Sequence, residues 1–256
     1  MKRAFVILPV LALLAAATGC SDSSTVPYVK GNALMELTQT IETENFTFHY
    51  TPGDQVEVAR SEAYHRWAVA FLGVACPKKV DYYKLKDRDQ FVRLSDSWGT
   101  GFAVVEEFGV WTYLPWQNHE CFHLYSLLIG HPPVFFSEGI AVAYQVDPSQ
   151  GDFEAREKNG ERVHDIARRY KEEGRLYPVA NILDRTGWYA SDYTTTYVQA
   201  GSFVRYLADL YGIEPLKEVF RKVGRNDERA DVKAKFAAIY GRTIEDVEKN
   251  WLAFLD

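Results

Sequence analysis

Two histidines and a glutamate near the middle of the chain have the residue types and the spacing of a metal-binding motif. They read His119-Glu120-Cys121-Phe122-His123, which is H-E-x-x-H. On a helix, positions four apart are turned by about 40° and rise by about 6 Å, so both imidazoles can reach one metal ion. The carboxylate of Glu120 lies beside them and can reach a water molecule on that metal. The motif therefore predicts metal-assisted hydrolysis with Glu120 as the general base.

A third ligand must come from another segment, because two histidines supply only half of a tetrahedral site. Glu138 lies fifteen residues after His123. That spacing allows one helix to end near Gly130, the chain to turn, and a second helix to place Glu138 opposite the first. Gly139 is expected to let the backbones of these two helices approach closely. Together with His119, these ligands leave one position open for water, an arrangement that suits a single Zn²⁺ ion best.

The sequence around this motif predicts an α+β fold, in which a small mixed sheet with helices is followed by a mainly helical half. Alternating apolar side chains and clusters of β-branched and aromatic residues predict the strands. These strands lie at residues 46–50, 80–85, 101–105 and 109–114. Asp54, with Glu57 three residues later, predicts the start of the first long helix. From Pro115 onward the pattern is mostly helical, and Thr243 predicts the start of the last helix.

The composition excludes several classes of protein. Of the 256 residues, 47% are hydrophobic and 25% are charged, which is typical of a soluble globular chain and excludes general disorder or a multi-span membrane protein. The formal net charge of −6 argues against a broad cationic surface for nucleic acid. We expect one domain over residues 33–256 that acts as a monomer.

The N-terminus has the character of a targeting segment. Two basic residues precede a short apolar stretch at residues 4–16. The small residues before Cys20 resemble the lipobox of bacterial lipoproteins, which implies cleavage after Gly19 and a lipid on Cys20. Residues 1–19 would then be the signal peptide and residues 20–32 a flexible tether. In a Gram-negative cell this implies the outer membrane; the alternative is an ordinary secretory signal in which Cys20 is incidental.

The two other cysteines, Cys76 and Cys121, leave two possibilities open. An exported compartment permits a disulfide between them. Two buried free thiols are the alternative, and it is the one that we favour.

The motif and the glutamate that follows it resemble the gluzincin metallopeptidases, and among them the small bacterial group called peptidase MA-like. The similarity rests on H-E-x-x-H and on Phe136-Ser137-Glu138-Gly139-Ile140, where members of the group often have Trp in place of a Phe before Glu-Gly. Weaker similarity extends over residues 40–256. The most similar segments there are residues 45–50, 197–207 and 240–251.

The resemblance implies a zincin-like fold and zinc-dependent hydrolysis of peptide bonds in a peptide or protein substrate. The three ligands named above would hold the ion, and Glu120 would act as the general base. In related gluzincins a tyrosine at the start of a following helix stabilises the oxyanion. Tyr197 stands at such a position, with Tyr193 as a rival, whereas a core aromatic is the other interpretation of Tyr197.

The resemblance also carries expectations about substrate binding and about neighbouring residues. An edge strand before the H-E-x-x-H helix would bind the substrate backbone, and we expect residues 109–114 to be that strand. No aminopeptidase signature precedes it, which favours an endopeptidase. Val142 stands where thermolysin-type members have Asp, so the residue that orients the histidines is left open. His131 is expected in a loop and His164 on a solvent-facing helix, with a role in the cleft as the alternative.

Two alternatives to a peptidase stay open at this level. A binding lipoprotein could keep the fold without the chemistry, although this chain keeps all three ligands and the general base. Zinc-dependent hydrolysis of a non-peptide amide would use the same ligands.

Overall fold

A computed structural model describes residues 29–95, 97, 99–157 and 159–256, and over these residues the chain is α+β, as predicted. The described residues form one five-stranded mixed sheet and eleven α-helices. The predicted signal peptide, Cys20 and most of the predicted tether lie outside the described residues. Among the helices that the structure describes, none is long and apolar enough to cross a membrane.

Strands and helices are numbered in chain order. The strands are β1 (Gln39–Glu42), β2 (Phe46–Tyr50), β3 (Val80–Lys84), β4 (Gly101–Val104) and β5 (Gly109–Thr112). The helices are α1 (Val29–Glu36), α2 (Val58–Leu72), α3 (Arg88–Ser95), α4 (Asn118–Ser126), α5 (Val134–Ala143), α6 (Val163–Glu172), α7 (Arg185–Tyr189), α8 (Tyr193–Tyr211), α9 (Ile213–Lys222), α10 (Arg229–Tyr240) and α11 (Ile244–Phe254). Strands β2 to β5 confirm the four predicted strands, whereas the polar β1 carries no apolar alternation by which to predict it.

The strand order of the sheet is β1-β2-β3-β5-β4. Strands β2, β3 and β5 run parallel, whereas β1 and β4 pair antiparallel at the two edges. The prediction that residues 109–114 form the edge strand is wrong, because β5 lies between β3 and β4. The chain forms β4 first and then reverses at a tight turn, where Phe108 adopts a left-handed conformation with φ of 50°. This turn returns the chain into the sheet, and β4 is left at the edge.

The two faces of the sheet carry separate apolar clusters, because neighbouring side chains along a strand point to opposite faces. One face, with Phe48, Tyr82 and Val110, belongs to the main core, in which side chains of α2 and α4 are also buried. The other face carries Tyr83 and Trp111, whose stacked rings have centroids 3.8 Å apart. Side chains of α1 and α3 cover this second cluster. The H-E-x-x-H helix therefore belongs to the larger of the two cores.

Helix α2 begins at Val58, whereas the sequence predicts a start at Asp54. The carboxylate of Asp54 is engaged elsewhere, because its Oδ2 lies 2.6 Å from Nζ of Lys84. Lys84 is only 3% exposed, and a buried ammonium group requires a charged partner. The ion pair between distant segments therefore overrides the local capping pattern.

Two glycines let α5 and α8 cross at close range. A Cβ atom on Gly139 would lie 2.9 Å from the carbonyl oxygen of Ala200, and one on Gly201 would lie 2.2 Å from Cγ1 of Val142. The prediction that Gly139 brings α5 close to α4 therefore names the wrong partner. Glu138 faces α4, and the next residue is turned by about 100° around the helix, which points it at α8.

Candidate metal centre

The two histidines of the motif lie one turn apart on α4. At the start of this helix, Oδ1 of Asn118 accepts a hydrogen bond from the backbone N–H of His119 over 2.9 Å. This bond satisfies a donor that has no partner within the helix. After α4 ends at Ser126, the chain turns and α5 begins at Val134. The prediction of two consecutive helices around the ligands is thus confirmed.

Three potential ligand atoms from α4 and α5 converge on one point. Nε2 of His123 lies 3.1 Å from Nε2 of His119. Oε2 of Glu138 lies 3.3 Å from Nε2 of His119 and 3.2 Å from Nε2 of His123. All three side chains are buried. The structure therefore brings together the three residues that the sequence predicts as metal ligands.

The separations between these atoms fit a tetrahedral ion. With ligand bonds of about 2.0 Å, neighbouring ligand atoms of a tetrahedral zinc site lie about 3.3 Å apart. The observed separations are 3.1, 3.2 and 3.3 Å. Two imidazoles and a carboxylate are also ligands that Zn²⁺ accepts. The residues present therefore fit a single zinc ion.

Burial and charge act in opposite directions on this group. Burial would raise the pKa of Glu138, but the charge of His123 and the contacts with both imidazoles outweigh it and hold that pKa well below its ordinary value. Burial would lower the pKa of His123, but the neighbouring carboxylate outweighs this effect and raises that pKa. The group therefore keeps a buried negative charge that favours a positive partner, either a proton or a metal ion.

Glu120, the predicted general base, is 3% exposed and lies against the edge strand β4. A Cβ atom on Gly101 of that strand would lie 3.1 Å from Cγ of Glu120 and 2.8 Å from the carbonyl oxygen of Trp111. The edge strand can pass this close only because residue 101 is glycine. Sequence reasoning missed Gly101, and the available signal was a glycine in the strand that precedes the motif.

Of the two tyrosines considered as oxyanion donors, Tyr197 lies beside a metal ligand. Its ring is inclined by 23° to that of His119, with centroids 6.3 Å apart. Tyr193 is the first residue of α8, is 59% exposed and packs edge-on against Tyr197. Trp188 of α7 packs on Tyr197 with a centroid distance of 5.4 Å. Tyr197 therefore borders the site and also packs against the core.

The sequence predicts that His164 lies on a solvent-facing helix. It does lie on a helix, α6, but its side chain does not face solvent. Its Nδ1 is 2.9 Å from Oγ of Ser202, and the same oxygen accepts a hydrogen bond from Nε1 of Trp251 over 3.0 Å. Burial lowers the pKa of His164. The apolar residues of α6 turn this side chain towards α8, so His164 is a packed histidine. His131 is an exposed loop residue, as predicted.

Cys76 and Cys121 are free thiols, which confirms the favoured alternative. Cys121 is buried and Cys76 is half-buried. Burial raises the pKa of Cys76 to about 11 and raises that of Cys121 further. Both sulfurs are therefore neutral side chains of the core.

Sequence reasoning also missed Gln145, which follows the end of α5. Its Oε1 lies 3.1 Å from Nδ1 of His119. No spacing rule connects this glutamine with the motif, because the contact depends on how the loop after α5 returns to α4.

The sequence matches no protein-family model, and no curated protein shows significant sequence similarity to it. What the geometry defines is thus a class of site, a buried group of two histidines and one carboxylate that could hold a metal ion.

Proposed function

We propose that this chain is a zinc-dependent metallopeptidase of the gluzincin type with a zincin-like fold, held at a bacterial cell envelope by a lipid on Cys20. The observation that carries the proposal is the convergence of His119, His123 and Glu138 at separations of 3.1 to 3.3 Å. Two histidines and a glutamate with one open position form a ligand set of hydrolytic zinc sites. Glu120, next to the first ligand in sequence, adds the general base that hydrolysis requires.

A bound Zn²⁺ ion would supply a Lewis acid that polarises the scissile carbonyl and lowers the pKa of a water molecule. Glu120 accepts a proton from the attacking water and donates it to the leaving amine. Tyr197 donates a hydrogen bond from its hydroxyl to the oxyanion that forms as the carbonyl carbon becomes tetrahedral. A general base contributes about 10²–10⁴-fold to such a rate, and an oxyanion donor about 10²–10³-fold.

The edge of β4 would bind the substrate as an added strand. Within the described sheet β4 pairs only with β5, so its other edge offers backbone N–H and C=O groups to an extended peptide. A peptide on this edge would run past Glu120, because Gly101 lies against that side chain. Recognition of the main chain needs no free terminus of the substrate, which favours an endopeptidase.

The test combines metal analysis with hydrolysis. The full-length protein is purified, its zinc content is measured by elemental analysis, and cleavage of a fluorogenic peptide library is followed. We expect one zinc ion per chain and hydrolysis of peptides. Glu120→Gln should retain the zinc and lose about 10²–10⁴-fold in rate. Glu44→Gln, an exposed site in the turn between β1 and β2, should retain both.

Each other outcome overturns a stated part of the proposal. A wild-type chain that retains no zinc would exclude the metal centre, and full activity of Glu120→Gln would exclude this general base. Zinc without any hydrolysis would favour the binding lipoprotein. Hydrolysis of cell-wall amides but not of peptides would favour the zinc amidase.

The lipid anchor is tested separately in cells. Cys20→Ala should abolish metabolic labelling by a fatty acid and release the chain from the membrane fraction. Equal labelling of wild type and variant would exclude Cys20 as the lipidated residue.

A further inference from the structure

The geometry points to Gln145 as a positioning residue that fixes the ring orientation and the tautomer of His119. This inference rests on the proposed metal centre. Oε1 of Gln145 lies 3.1 Å from Nδ1 of His119, on the far side of the ring from the three converging atoms. A hydrogen-bond partner at the second ring nitrogen of a histidine ligand sets which nitrogen is available to the metal.

The orientation of the glutamine amide is determined by a second partner. Nε2 of Gln145 lies 3.4 Å from the carbonyl oxygen of Arg156, and only the NH₂ group can donate there. Oε1 must then face His119, so Nδ1 of His119 carries the proton and donates it. The lone pair of neutral His119 is thereby on Nε2, the atom that faces His123 and Glu138.

The backbone around Gln145 is held at every residue from 144 to 147. The carbonyl groups of residues 144, 145 and 146 each accept a hydrogen bond from elsewhere in the fold, and the N–H of Asp147 donates one to the following loop. The bonds are Tyr64 Oη to Tyr144 O (2.8 Å), Arg156 N to Gln145 O (3.2 Å), Asn118 Nδ2 to Val146 O (3.2 Å) and Asp147 N to Asp152 O (2.7 Å). Donors from α2, α4 and the loop before α6 thus converge on one short segment. The amide of Gln145 is therefore held in place before any metal binds.

An ion pair also links residues 144–147 to α2. A guanidinium nitrogen of Arg60 lies 2.8 Å from Oδ2 of Asp147, and the same guanidinium stacks on Trp116 at 3.7 Å from the ring centroid. Asp147 cannot shift without breaking both the pair and the bond to Asp152. The position of Gln145 is thus set by the packing of α2 against the start of α4.

The tautomer determines what the three converging atoms can do. In neutral His119 with its proton on Nδ1, Nε2 is an acceptor that faces Oε2 of Glu138 at 3.3 Å. Two acceptors at this distance repel one another unless a cation lies between them. Gln145 therefore keeps His119 as a metal ligand, because a proton on Nε2 would occupy the position of the ion.

Zinc affinity of the full-length protein tests this role. Competition with a chromogenic chelator gives the dissociation constant of Zn²⁺, and NMR of the zinc-loaded protein reports the hydrogen-bonded Nδ1–H of His119. Gln145→Leu should weaken zinc binding by about 10–100-fold and remove or shift this N–H resonance. Gln145→Glu should bind zinc no more weakly than wild type, because its carboxylate accepts the same hydrogen bond. The donor that it loses is the longer contact at 3.4 Å.

Gln199→Leu is the matched control, since Gln199 is a buried glutamine held on both sides by the backbone of Tyr177. It should lower thermal stability without changing zinc affinity. Equal affinities of Gln145→Leu and wild type would overturn the inference, as would a zinc affinity of Gln145→Glu as low as that of Gln145→Leu.

The experiment separates this inference from the proposed function. Weakened zinc binding in a protein that cleaves no peptide would support Gln145 and reject the peptidase. Peptide hydrolysis together with a zinc affinity that does not change in Gln145→Leu would support the peptidase and reject the role of Gln145. A wild-type chain without zinc affinity would reject both.

Discussion

Two glutamates of this molecule are similar in burial and in the direction of their pKa shifts, but they differ in the groups that contact their carboxylates. Glu62 of α2 is 7% exposed, Glu138 of α5 is 2% exposed, and neighbouring groups lower the pKa of both in spite of burial. The carboxylate of Glu62 accepts hydrogen bonds from Thr43 Oγ1 (2.6 Å), Asn45 N (3.0 Å) and Asn45 Nδ2 (2.7 Å). Glu138 instead faces two imidazole nitrogens, which can be acceptors as well as donors. A buried, ionised carboxylate is therefore not by itself a sign of a metal site.

What separates the two glutamates is the nature of their partners. Hydroxyl and amide donors of Thr43 and Asn45 hold the carboxylate of Glu62, and its cationic partner is the guanidinium of Arg66, 3.4 Å from Oε2. The Nε2 atoms of the two imidazoles beside Glu138 lie 3.1 Å apart, which would crowd two N–H donors pointing at one acceptor. The same residue type thus has a structural role at position 62 and a proposed ligand role at position 138.

The largest expected difference between the two glutamates comes from making the same substitution at both positions. Glu138→Gln should weaken zinc binding by more than the roughly 100-fold that is typical of losing an outer hydrogen-bond partner, because it removes a ligand charge. Glu62→Gln should leave zinc affinity unchanged. Thermal unfolding with and without saturating zinc gives a second readout, since a ligand at about 1,000 times its Kd stabilises a fold by about 4 kcal/mol. An equal zinc-induced rise in Tm for the two variants would contradict the distinction.

A second variant keeps both carboxylates and disturbs only the helix that carries Glu138. A methyl group at Gly139 would lie 2.6 Å from Cγ2 of Val204 and 2.9 Å from a backbone oxygen of Ala200. Gly139→Ala should therefore destabilise the fold by about 1–3 kcal/mol. Gly31→Ala is the control, because among the described residues no atom beyond its own stretch of helix lies within 4 Å of its Cβ position. Urea unfolding measures both, and equal midpoints would show that the crossing of α5 and α8 is looser than described.

The smallest expected effect is a pH dependence of the free energy of unfolding, which follows from the hydrogen bonds of Glu62. Its folded-state pKa lies below the ordinary 4.5, so the carboxylate contributes stability above that pH, and this contribution is lost as the pH falls through the folded-state pKa. Glu62→Gln should cost about 1–3 kcal/mol at neutral pH and less in acid. Urea unfolding from pH 7 to pH 3 checks this. A difference from wild type that grows towards acid would have the wrong sign.

The helices that carry the candidate site were predictable, because their signals are local. The H-E-x-x-H spacing, the Gly and Pro residues that follow it, and Glu138 on the next apolar segment define two helices without knowledge of the rest of the fold. Thr243 likewise caps α11 through a hydrogen bond that its own neighbourhood supplies, from the backbone N–H of Asp246 over 3.2 Å.

The features that sequence reasoning missed depend on distant partners. Asp54 looked like a helix cap, but a buried lysine on β3 binds it. Gly139 contacts α8 rather than α4, and the sequence cannot predict this because the position of Gly139 relative to α8 depends on where α8 packs. The predicted edge strand is wrong because strand order depends on pairing across the sheet. Gln145 reaches His119 only through a loop held by three other elements.

The close crossing of α5 and α8 has a consequence for how the site would work. Glu138 and Tyr197 lie on these two helices, and the glycine contacts leave no slack between them. In the proposed peptidase, this close crossing would keep their spacing fixed and make this part of the site preorganised for the reaction. An opening that admits a peptide to the proposed site would then lie at the opposite wall, where β4 borders Glu120.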